Sequence, residues 1–143
     1  LIGGKTDIVM MLNGALAGLV AITAEPLTPG PITAMFIGSI GAVIMYFGTK
    51  MLESYGLDDV VGAIPVHMFA GIFGTLVVPL TNSDTTFGTQ LIGTASVCLF
   101  SFGLSWITFT ILKSTIGLRI SKAAEKLGTD KAEVGVTAYS IRD

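Results

Sequence analysis

Four long apolar runs, almost free of charge, restrict what this chain can become. They cover roughly residues 8–24, 31–52, 60–80 and 87–117. The breaks between them are sharp: Glu25-Pro26 with Pro29-Gly30-Pro31, then Asp58-Asp59, then Thr81-Asn82-Ser83-Asp84. A helix crossing a hydrocarbon core about 30 Å thick needs about 20 apolar residues. The first run is at the short end, and the fourth is long enough to tilt or protrude. Charged residues make up only 13% of the chain, against about 25% in a soluble domain. A soluble fold of 143 residues has no core large enough to hide four such runs, so lipid is the simpler solvent. Barrel strands are excluded because the runs are too long and lack an alternating polar face. The expectation is an all-α polytopic membrane helix bundle. Residues 1–117 form its transmembrane region, and 118–143 form a polar tail holding half of the charged residues.

The basic residues set an orientation. They are Lys5, Lys50, Lys113, Arg119, Lys122, Lys126, Lys131 and Arg142. With four spans, all eight fall on or beside the side shared by the N-terminal end, the middle loop and the tail. Lys50 and Lys113 sit at helix ends, where they can snorkel. The loops at 25–30 and 81–86 carry none. An excess of Lys and Arg marks the cytoplasmic side, so the tail is expected to be cytoplasmic and the protein to lie in the cell membrane. The chain begins Leu1-Ile2-Gly3-Gly4, with no basic leader before the first run. Residue 1 therefore reads as an internal position of a longer protein rather than as the start of a signal peptide.

Several functional classes find no support. A net charge of −2 and the lack of a basic patch with interleaved aromatics argue against nucleic-acid binding. The single cysteine, Cys98, cannot form an intrachain disulfide and says little about redox compartment. No nucleophile stands with a base, and no metal-ligand set or phosphate loop is visible, so neither an enzyme nor a cofactor is expected.

Helices in lipid associate through close backbone approach at small residues. Gly14 and Gly18 form one such pair, and Gly38 with Ala42 another. In the third run, Ala63, His67, Ala70, Gly71 and Gly74 recur at spacings of three and four, which places them on one face of an ideal α-helix. His67 is the only histidine in the chain and the only ionisable side chain deep inside a run. It is expected near the middle of its helix, facing a dry, protein-lined passage, since such groups rarely face lipid. A dry site favours a neutral imidazole, which has one donor and one acceptor nitrogen. It can accept a hydrogen bond from an N–H solute or pass a proton between its nitrogens. The alternative is a plain interhelical hydrogen bond. Asp58 and Asp59 are expected to cap the third helix and complement its dipole.

These residues resemble the ammonium transporter family, which comprises ammonium transporters, methylammonium permeases and Rhesus proteins. The likeness runs over Leu57-Asp58-Asp59-Val60-Val61-Gly62-Ala63-Ile64-Pro65-Val66-His67-Met68-Phe69-Ala70-Gly71-Ile72-Phe73-Gly74-Thr75-Leu76 and is most specific from the aspartates to the histidine. It extends to Asn13-Gly14-Ala15-Leu16-Ala17-Gly18-Leu19-Val20-Ala21-Ile22-Thr23-Ala24, to the exit Gly117-Leu118-Arg119-Ile120, and to Ala138-Tyr139. The resemblance implies an eleven-span fold built as an inverted repeat and assembled as a homotrimer, with this chain as its last four spans and tail. It implies twin histidines lining each pore, with His67 matching the second, and a pore-side threonine at Thr23. Ammonium would be recruited at an outer vestibule, lose a proton and cross as ammonia, or as ammonia with a relayed proton. The aromatic cage that would select ammonium through cation–π attraction belongs to the preceding spans. Trp106 reads instead as a lipid-facing or interfacial aromatic. The family tail carries signals between subunits and contacts a regulatory PII-type protein. Here Val134-Gly135-Val136-Thr137 replaces a more acidic, histidine-containing stretch, Val60 stands where many relatives have proline, and Met68 where glycine or leucine is common. A sensor of the same fold signalling through its tail, or a structural membrane subunit, are the competing readings.

Overall fold

The computed structural model describes residues 7–138, so Lys5, Tyr139 and Arg142 lie outside the described residues. Every regular element among the described residues is helical. Helix α1 spans Ile8–Ile22, α2 Pro31–Ser54, α3 Ile64–Leu80, α4 Phe87–Thr115 and α5 Lys122–Leu127. A single π-type turn, Asp130–Val134, follows α5. By length and composition α2 and α4 could each cross a membrane, whereas α1 and α3 are shorter apolar helices of 15 and 17 residues.

The chain forms two compact units, Leu1–Cys98 and Leu99–Asp143. The division falls inside the continuous helix α4. It follows packing: no residue of α4 is buried among the described residues.

In the first unit, α1, α2 and α3 meet through small residues. Gly18 and Gly38 stand against each other, such that a Cβ on Gly18 would lie 3.1 Å from the Gly38 carbonyl oxygen. A Cβ on Gly14 would meet Met45 and Ala42. The two small-residue pairs of α1 and α2 therefore face one another in an antiparallel crossing. Deeper in, a Cβ on Gly41 would lie 2.6 Å from the Ala21 Cβ, and one on Gly48 would lie 2.5 Å from Phe69. Ala17, Met45, Val66 and Ala70 form the buried core at this junction. Without a hydrophobic drive between lipid-soluble helices, such close approach and its dispersion contacts hold them together.

Helix α3 runs parallel to α1. Asn13 reaches the segment just before α3, Gly71 sits against Val20, and Gly74 sits against the Ala21 backbone. Its start is later than the apolar run implies. Val60 and Val61 are exposed, Gly62 holds φ +72°, and regular structure begins only at Ile64. Three kinds of helix follow in turn: a π segment at Ile64–Phe69, an α segment at Ala70–Val77 and a 3₁₀ turn at Val78–Leu80. The Ala70 N–H donates to the carbonyls of Pro65 and His67, which is the widened ring of a π turn.

In the second unit, Ser121 caps α5 by accepting the Ala124 N–H at 3.2 Å. The Asp130 carboxylate accepts the Ala138 N–H at 2.9 Å, closing a loop around Gly135, which has φ +75°. That bond, and then the Lys131 N–H, hold the Asp130 carboxyl below the usual carboxylate range.

Candidate functional site

His67 lies within the π segment, in the first turns of α3. This corrects the placement near mid-helix, because the four residues from Val60 to Ala63 precede the helix and are not its first turn. The expected single stripe is also divided. Ala70 and Gly74 are buried, Gly71 is half-buried, and Ala63 and His67 are exposed. The reason is the π segment, whose wider turn rotates successive side chains out of the 3.6-residue register assumed by the spacing argument. Pro65 and Val66 turn inward to the core, while Ile64, His67 and Met68 stand on the uncovered side. Among the described residues of the first unit, α1 and α2 therefore leave the imidazole uncovered.

Helix α3 is packed closely against α1. A methyl on Gly74 would overlap the Ala21 carbonyl oxygen and lie 2.8 Å from its carbon. A methyl on Gly71 would make only ordinary contact, 3.6 Å from Val20. At the start of α3, Asp59 accepts the N–H groups of Ala63 and Ile64 at 2.9 and 2.8 Å. Two orphan donors of the helix start are thereby satisfied. Asp58 is exposed and borders a shallow hollow with Thr49, Glu53, Asp59 and Pro65.

Thr23 is the C-terminal residue of α1, and its hydroxyl donates to the Val20 carbonyl at 2.7 Å. Because α1 and α3 run parallel, His67 lies roughly level with Ala17. Thr23 is then about 9 Å further along the axis, at 1.5 Å per residue. The two candidates share an α1–α3 assembly but occupy different depths. Near the Thr23 end, the Asn82 amide donates to Glu25 at 2.8 Å, tying the segment after α1 to the segment after α3. That bond first, and then the Leu27 N–H, hold the Glu25 carboxyl below its usual range. Spacing gave no sign of this tie, which joins residues 57 positions apart.

A model of the Ammonium Transporter Family matches residues 1–139. The chain belongs to the ammonium transporter family. It is 40% identical to the ammonium transporter Amt2 of Archaeoglobus fulgidus, over 95% of this chain and 33% of that protein. It is also 40% identical to a putative ammonium transporter of Synechocystis sp., over 86% of this chain and 25% of the relative. The ammonium transporter of Corynebacterium glutamicum is 31% identical over 96% of this chain and 34% of its own length. This member thus spans about a quarter to a third of these relatives. Family membership makes it part of a membrane helix bundle, and a transporter family is not an enzyme class.

Proposed function

We propose that the parent protein conducts ammonium, or ammonia derived from it, across the cell membrane, and that α1 and α3 form part of one wall of its path. The observation that carries this reading is His67, an imidazole on a face that α1 and α2 leave bare, on a helix fixed by backbone contact at Gly74. An ionisable group in a membrane helix is costly against lipid and is normally covered by protein or water. The three relatives compared are about three to four times longer than the matched region. Segments outside this chain are then available to cover that face.

In this reading His67 accepts or relays at the reacting solute, and Thr23 lies further along the same path. The apolar surroundings disfavour the cation, so the neutral species crosses there. The C-terminal tail faces the cytoplasm. In support, Lys50 lies at the end where α1 and α3 begin, whereas Glu25 and Asn82 mark the opposite end, whose loop at 25–30 has no basic residue. The parent assembles as a homotrimer with one path per subunit, and its tail, residues 118–143, is the surface for a PII-type regulator. The transport reading is preferred over a sensor because the relatives compared are named as transporters.

The test is His67→Ala in the full-length parent. Methylammonium uptake is expected to change at least tenfold while the oligomer, sized in detergent, stays intact. Unchanged flux and selectivity would overturn the role of His67.

A further inference from the structure

Pro65 stands in the first turn of α3, where a backbone N–H would have no intrahelical partner, so its absence there costs nothing. Ahead of the helix, the Val61 carbonyl accepts from the Asn13 Nδ2 of α1 at 2.9 Å. The neighbouring backbone leaves room for this amide: Gly62 is buried with φ +72°, and a Cβ there would lie 2.6 Å from the Asn13 Nδ2. At the helix start itself, Asp59 accepts from the Ala63 and Ile64 N–H groups. The start of α3 is therefore closed by one side chain from its own segment and one from a helix 48 residues earlier. His67 follows two residues after Pro65, inside the π segment that this closure begins.

We infer that Asn13 is a positioning residue for His67. Its amide ties the Val61 carbonyl, just ahead of α3, to α1, and so fixes the rotation at which the wide turn presents the imidazole. This rests on the reading of His67 as a pathway residue. A leucine at position 13 keeps the volume but removes the donor. A glutamine keeps the donor on a longer stem.

The experiment is a double-mutant cycle in the full-length transporter, with methylammonium uptake measured against concentration and pH. Asn13→Leu is expected to lower maximal uptake about three- to tenfold, the range of one lost hydrogen bond. The pH profile should shift, and the oligomer should stay intact. Asn13→Gln should recover part of the loss. In a His67→Ala background, Asn13→Leu should add less than twofold, because its effect passes through the ring. An equal loss in both backgrounds, or an unshifted pH profile, would overturn the inference in favour of a general packing role. A silent His67→Ala would sink the pathway reading itself. An active His67 with a silent Asn13→Leu would sink only the positioning.

Discussion

The three-helix assembly of α1, α2 and α3 and the helix α4 are both apolar and helical, yet they use glycine in opposite ways. In α1–α3, Gly18, Gly41, Gly48 and Gly74 stand where a methyl would press on a neighbouring helix. In α4, Gly93 and Gly103 have nothing within 4 Å among the described residues, and no residue of the helix is buried. Composition therefore does not reveal a packing glycine; only the neighbour does. The three-helix unit behaves as a fixed wall on which a side chain can be aimed. Helix α4 presents side chains all round, which suits a helix bathed in lipid or covered by other protein.

Three substitutions in the full-length protein sharpen this contrast, followed by thermal unfolding in detergent. The largest effect is expected for Gly74→Ala, which forces α3 off the Ala21 backbone and should destabilise by about 3 kcal/mol, at the upper end of overpacking effects. Gly103→Ala should be neutral or stabilising by up to about 1 kcal/mol, from helix propensity alone. A loss at Gly103 as large as that at Gly74 would mean that α4 is packed as tightly as the wall. Next is Asp59→Ala, which frees the Ala63 and Ile64 N–H groups and should lower stability by about 1–2 kcal/mol. No loss would show that water caps α3 equally well.

The smallest effect concerns the tie at the other end of the wall. The Glu25 carboxyl is held low chiefly by Asn82. A carboxyl lowered on folding adds stability above its unfolded value and loses it as pH falls through the folded value. Asn82→Ala should therefore melt slightly below the native protein at neutral pH. The difference should close once the pH drops below the carboxylate range. A difference independent of pH would mean that Asn82 acts by packing and not through Glu25.

Much of the candidate site was legible in the residues. A lone histidine in a charge-free run and acids just ahead of that run are local signals, and burial cost makes them readable. The facing of Gly14 and Gly18 on Gly38 and Ala42 was foreshadowed by the two small-residue pairs, though not their antiparallel register. The stripe through Ala63, His67 and Gly74 misled because periodicity presumes 3.6 residues per turn, and the stretch from Ile64 to Phe69 is π-helical. Asn13 went unnoticed for a different reason. Its acceptor, the Val61 carbonyl, lies 48 residues away, and no local pattern joins the two.

The sequence by itself determined that this chain is helical and apolar, that its apolar runs number four, and which family it belongs to. Those properties follow from composition and local order, which need no partner. The tertiary structure decided which face of α3 is covered, where that helix begins, and which glycines separate helices. These depend on backbones meeting across space, through Gly62, Asn13 and Ala21, and no local rule contains that information.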